Sequence, residues 1–72
     1  MMNKNRSRQI GKRIDKAMKG MGYTQGELGL HCGMYASQVN KYINGVSTPS
    51  ADGLIKLSIA LDCTTDYLLK GI

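Results

Sequence analysis

One histidine, five acidic residues and two cysteines in 72 residues leave several kinds of chemistry without their side chains. The acids are scattered over different segments and His31 is the single imidazole, so no nucleophile and base stand at workable spacing and catalysis is not expected. Cys32 and Cys63 belong to no CxxC pair, which leaves a zinc site short of ligands. Both sit at apolar-periodic positions and read as small buried side chains in a reducing cytoplasm. No apolar run nears the ~20 residues of a membrane span, and the charged N-terminus lacks the apolar core of a signal peptide. Runs of alternating β-branched residues, internal repeats, linkers and low-complexity tracts are also missing. The expectation is one small, cytoplasmic, all-α domain with neither metal nor cofactor.

Positive charge is abundant and unevenly placed. The net charge is +5, and residues 1–20 carry Lys4, Arg6, Arg8, Lys12, Arg13, Lys16 and Lys19 against Asp15 alone. That segment is +6 and the remainder −1. Such a balance points to a polyanion, either nucleic acid or an anionic membrane surface. Lys4, Arg6 and Arg8 read as a basic arm over residues 1–8, following a duplex or remaining a solvated tail, ahead of a domain over residues 9–72. A membrane-surface peptide would need one strongly amphipathic helix, which the first helix partly supplies. The capped helices after it argue instead for a globular domain.

Ile10, Ile14, Ala17, Met18 and Met21 recur at helical spacing, with Lys12, Arg13, Lys16 and Lys19 between them, and Gly20 and Gly22 end this first helix. Thr24-Gln25-Gly26-Glu27 has the form of a capping box and opens a second. Gly33 falls only nine residues after Thr24, so the second helix is short and a third follows at once. In the third helix, over residues 35–43, Val39, Tyr42 and Ile43 give the inner face together with Met34 just before it; Ala36, Ser37, Gln38, Asn40 and Lys41 look outward. Asn44-Gly45 closes it, and Val46 to Pro49 forms a loop. Ser50 caps a fourth helix with the stripe Leu54, Leu57, Ser58 and Leu61. Thr64 caps a short fifth, with Asp66 in its first turn, Leu68 and Leu69 as anchors and Gly71 at its end.

Two short helices joined by a glycine turn, the second with an outward row of small and amide side chains, have the geometry of a helix-turn-helix. Leu28 and Cys32 face its core, Gly29 leaves room for the crossing helix, and Gly33 makes the turn. The residues Ile10-Gly-Lys-Arg-Ile14, Gly22-Tyr-Thr-Gln25, Glu27-Leu28, Gly33, Asn44-Gly45, Pro49-Ser50, Leu54 to Leu61 and Asp66-Tyr-Leu-Leu-Lys-Gly71 carry a resemblance to the lambda-repressor-like (XRE-type) family. It is closest to the repressors of lambdoid phages and covers residues 9 to 71. The resemblance implies five helices, dimerisation through the C-terminal region and binding to a near-palindromic operator in double-stranded DNA. Half-sites would recur every ~10 base pairs, ~34 Å apart.

It also implies roles for particular residues. Base contacts fall on Ala36, Ser37, Gln38 and Lys41: an amide suits adenine, an ammonium guanine, a methyl the thymine methyl. Otherwise these are a solvated polar face. Gln25, at the N-terminus of the second helix where free N–H groups attract phosphate, would clamp the DNA backbone rather than serve as an ordinary first-turn residue. Tyr35, Asn40, Asn44, Ser47 and Thr48 are further backbone candidates, or plain turn and surface chemistry. Asp62, Thr64, Thr65 and Tyr67, together with the off-stripe Ile55 and Ile59 and the terminal Ile72, are expected at a dimer contact. The alternative is an antitoxin-type protein-interaction module of the same fold, which an extended tail would favour; the 72 residues contain none.

The sequence departs from the family's pattern in three places. Where an arginine near the end of the first helix commonly pairs with a glutamate at the end of the third, this chain has Met18 and Ile43. Well-packed apolar groups replace a buried ion pair at little cost, so these two side chains are expected to touch. Gly29 replaces the usual alanine, at about 1 kcal/mol of helix propensity. Tyr35 stands where a small polar cap is usual.

Overall fold

Five helices form in chain order: α1 (Lys4–Met21), α2 (Gln25–Cys32), α3 (Ala36–Ile43), α4 (Ala51–Ala60) and α5 (Thr65–Lys70). A computed structural model describes residues 4–72, and no strand occurs among them. The stripe that α1 buries starts earlier than its isoleucines suggest. Ser7, Ile10, Gly11, Ile14 and Met18 are all buried, at the three- and four-residue spacing of one helix face. Ser7 opens it, its hydroxyl 2.6 Å from that of Thr48 in the α3–α4 loop. The helix itself runs back to Lys4, so Arg6 and Arg8 of the expected arm lie on its first turns. Residues 1–3 of that arm, and the side chain of Lys4, lie outside the described residues.

α3 packs on α1 and α2, α2 on α4, and α5 on both α1 and α4. Between them lie Ile10, Ile14 and Met18 of α1, Leu28 and Cys32 of α2, Val39 and Tyr42 of α3, Leu54 and Leu57 of α4, Leu61 and Leu68. Each fully buried aliphatic side chain contributes roughly 1.5–3 kcal/mol. Met18 is buried and Ile43 packs on the same cluster, so neither position of the missing ion pair brings a charge into the core. Met21 lies on the stripe by angle, yet it is exposed, being the last residue before the chain leaves the helix at Gly22. Thr24, Ser50 and Thr64 cap α2, α4 and α5 as expected. Tyr35 caps α3 by backbone conformation alone, without a side-chain hydrogen bond.

Two close contacts add to the apolar packing that holds α1 to the rest. Gly11 lies so close to the last turn of α3 that a Cβ would run into the carbonyl oxygens of Tyr42 and Ile43. Arg13 donates to the carbonyls of Leu68 and Leu69, at 3.3 and 3.0 Å, and so caps the C-terminus of α5. Beyond the Leu61 C-cap of α4 comes Asp62, a non-glycine residue with φ 53°, and there the Cys63 N–H returns to the Ser58 carbonyl at 3.0 Å.

Gly11→Ala should therefore destabilise the fold by about 1–3 kcal/mol or more, because two backbone carbonyls must move to admit a methyl. Gly20→Ala, also in α1 but with nothing near its Cβ position, should stabilise by roughly 0.5–1 kcal/mol. Urea unfolding of the two variants checks both signs; equal effects would contradict this account of Gly11.

Candidate nucleic-acid interface

The corner between α2 and α3 follows from two glycines. Gly33 ends α2 at φ 69°, ψ 34°, the left-handed region that a side chain disfavours. One residue later the Met34 N–H reaches back to the Gly29 carbonyl at 2.8 Å, closing the turn. Gly29 leaves its clearance for the turn itself: a Cβ there would come 2.5 Å from the Met34 carbonyl oxygen. The expected neighbour of Gly29, a crossing helix, is thus the backbone leading into α3.

With α3 held in this way, Val39 and Tyr42 go inward and one strip stays in solvent. At about 100° per residue, Ala36, Asn40, Asn44, Ser37 and Lys41 follow one another around that strip, and all five are exposed. Gln38 falls on its flank and is half-buried. Of the four expected base-contacting residues, three thus share the open face and Gln38 borders it. The strip carries one charge, that of Lys41.

At one edge of the strip α2 begins. The Thr24 hydroxyl accepts from the Glu27 N–H at 3.1 Å, and the Glu27 carboxylate accepts from the Thr24 N–H at 2.9 Å. The Gln25 and Gly26 N–H groups have no protein acceptor among the described residues, so the positive end of the helix is open there. Gln25 itself is joined to α3: its side-chain oxygen accepts from the Asn40 amide at 3.2 Å, and the Asn40 oxygen accepts from the Asn44 amide at 3.1 Å. Spacing alone gave no sign of this chain of amides.

The remaining candidates are more dispersed. Tyr35 is exposed at the corner, Ser47 is half-buried, and the Thr48 hydroxyl is held by Ser7. Arg8 lies against Gly45, just past the end of α3, where a Cβ would sit 2.8 Å from the Arg8 Cγ. The cations of α1 do not act as one block: Arg13 caps α5, Lys19 pairs with Asp15 at 3.0 Å, and Lys12 and Lys16 are exposed on the helix surface. Asp62, Thr64, Thr65 and Tyr67 cluster at the α4–α5 turn, Asp62 and Thr64 exposed and the other two half-buried. Ile55 and Ile59 stand exposed on α4. His31 is at the surface, stacked on Tyr23 with ring centres 4.7 Å apart. Cys32 is buried and Cys63 half-buried, and burial raises both thiols above their ordinary pKa.

Residues 14–68 match the helix-turn-helix family model that bears that description. The chain belongs to the lambda-repressor-like helix-turn-helix family. This helix-turn-helix chain is 34% identical over 62 residues to Repressor protein C2 of Salmonella phage P22, covering 86% of its own length and 29% of that relative. It is 36% identical over 62 residues to the prophage-derived transcriptional regulator YonR of Bacillus subtilis, covering 57% of that protein. The chain thus spans less than two thirds of the length of these relatives. Among solved structures, the P22 c2 repressor bound to a synthetic operator superposes with a TM-score of 0.85 at 33% identity, over 88% of this chain and 96% of that one. SinR bound to DNA superposes at 0.81 with 34% identity, over 85% and 98%.

One residue and one pairing had escaped the sequence reading. Ser7 is one; its signal was its place three residues before Ile10 on the apolar stripe. Asn40 as partner of Gln25 is the other, and no sequence signal relates two amides 15 positions apart.

The capping box makes the start of α2 sensitive to acid. Hydrogen bonds from Thr24, backbone first, hold the Glu27 carboxyl below its ordinary value of 4.5. A carboxyl lowered in the folded state stabilises it above the unfolded pKa and loses that effect as pH falls through the folded one. Stability against urea should therefore decline below pH 4.5 more steeply in the native chain than in Glu27→Gln. Thr24→Ala should cost roughly 0.5–2 kcal/mol at neutral pH. Parallel acid limbs for the native chain and Glu27→Gln would remove Glu27 from this role.

Proposed function

We propose that this chain is the sequence-specific double-stranded DNA-binding part of a transcriptional regulator, a repressor in the first instance, acting in the cytoplasm. The observation that carries the reading is the exposed strip of α3, with short polar side chains and Lys41, held outward by the Gly29–Gly33 corner beside the open N-terminus of α2. A helix so presented fits the major groove. The operator-bound P22 repressor and the DNA-bound SinR, both of this fold, support it.

In this reading Ala36, Ser37 and Lys41 meet base edges, with Gln38 reaching in from the flank. Gln25 and the free N–H groups of Gln25 and Gly26 hold a phosphate at the positive end of α2. Arg8, beside the end of α3, and Arg6 add nonspecific attraction along the backbone. Two copies bind a near-palindromic site, joined through the α4–α5 turn, where exposed Ile59 lines a groove with Ser58, Asp62, Cys63 and Thr64, and Ile55 is exposed one turn earlier on α4. Exposed apolar side chains at a shallow groove of mixed polarity suit a second copy of the same surface.

Selection of bound duplexes from a random pool should return an inverted repeat with half-site centres about 10 base pairs apart. Affinity for that duplex should fall with salt at a log-log slope of ~0.9 per phosphate neutralised. Ser37→Ala and Lys41→Ala should alter which half-sites are recovered, by ~1–3 kcal/mol at the affected positions, whereas Gln25→Ala should weaken all duplexes alike. Salt-insensitive association with a protein and no enriched duplex would favour the interaction-module alternative. For the dimer, Ile59→Asp should abolish cooperative filling of the two half-sites while single half-site binding persists; unchanged cooperativity would remove α4 from the contact.

A further inference from the structure

We infer that Asn40 is a positioning residue for the phosphate clamp: it holds the Gln25 side chain with its N–H groups outward, and does not owe its role to a DNA contact of its own. The inference rests on the reading of Gln25 as that clamp. A neutral primary amide has a donor end and an acceptor end, and only the donor end attracts a phosphate. Left to itself, a glutamine at the first position of a helix would sample many rotamers and both amide orientations, and ordering it would be charged against binding.

The chain of amides removes that freedom. Asn44 donates from its nitrogen to the Asn40 oxygen at 3.1 Å, and Asn40 donates from its nitrogen to the Gln25 oxygen at 3.2 Å. Every amide points the same way, so the one left with both N–H groups uncommitted to this chain is Gln25, at the edge of α2. Asn44 occupies the C-cap of α3, its backbone N–H bonded to the Asn40 carbonyl at 3.0 Å, which anchors the far end of the relay on rigid backbone. The relay crosses from the second half of α3 to the N-terminus of α2, at the far end of α2 from the corner. It therefore holds the clamp in register with the helix that would read the bases.

A double-mutant cycle on the full chain, with the selected duplex as probe, tests this. Gln25→Ala should weaken binding about tenfold or more, as loss of a hydrogen bond to a charged group does, and Asn40→Ala about threefold to tenfold on all sequences alike. In the Gln25→Ala background the Asn40→Ala loss should shrink below about twofold, since the residue it positions is gone. In the free protein, 15N relaxation of the Gln25 side-chain amide should show its order parameter falling in Asn40→Ala while the melting temperature changes little. An Asn40→Ala loss that persists in full without Gln25, or an unchanged Gln25 order parameter, overturns the positioning role and leaves the clamp standing. No effect of Gln25→Ala on any duplex overturns the clamp, and this inference with it.

Discussion

The α2–α3 corner is set by one close backbone contact: Gly29 against the carbonyl of Met34, with the N–H of Met34 returned to the carbonyl of Gly29. In this backbone a Cβ at position 29 would require the Met34 carbonyl to shift, and a right-handed conformation at Gly33 would send the chain in another direction. With both in place, α3 leaves the corner at an angle that buries Val39 and Tyr42 and cannot bury Ser37 or Lys41. The cost in helix propensity of a glycine inside α2 is offset by that geometry, and the exposed polar strip is its direct consequence.

A second constraint fixes the other end of α3. Gly11 brings the backbone of α1 onto the carbonyls of Tyr42 and Ile43, while Ser7 holds the loop beyond through Thr48. α3 is thus fastened at its N-terminus by the corner and at its C-terminus by α1, with neither fastening using its outer face. The same packing divides the positive charge of α1 between tasks. Arg13 turns inward to close α5, Lys19 pairs along its own helix, and Arg8 is left beside the end of α3. A run of cations that looks uniform in the sequence therefore mixes structural caps with surface charge.

Much of this was legible beforehand because it is local. The capping box at Thr24 and Glu27, the serine and threonine caps of α4 and α5, and the glycines that end helices each act within a few residues, so sequence neighbours suffice to read them. The core stripe was legible for the same reason, apart from its two ends. At Ser7 a buried polar residue on the stripe of α1 is satisfied by a hydroxyl 41 positions away. At Met21 an apolar residue turned outward because the helix had ended.

What the sequence alone determined was the kind of object: five helices, three of them opened by a hydroxyl cap, a glycine-hinged corner, and a third helix with one apolar and one polar face. Those properties depend on spacing and on the backbone preferences of single residues. Only the tertiary structure decided the pairings across the fold, namely Asn40 with Gln25, Arg13 with the end of α5, Ser7 with Thr48, and Gly11 with the last turn of α3. Each joins groups far apart along the chain, and such a pairing exists only once apolar burial has brought their helices together; periodicity has no term for it.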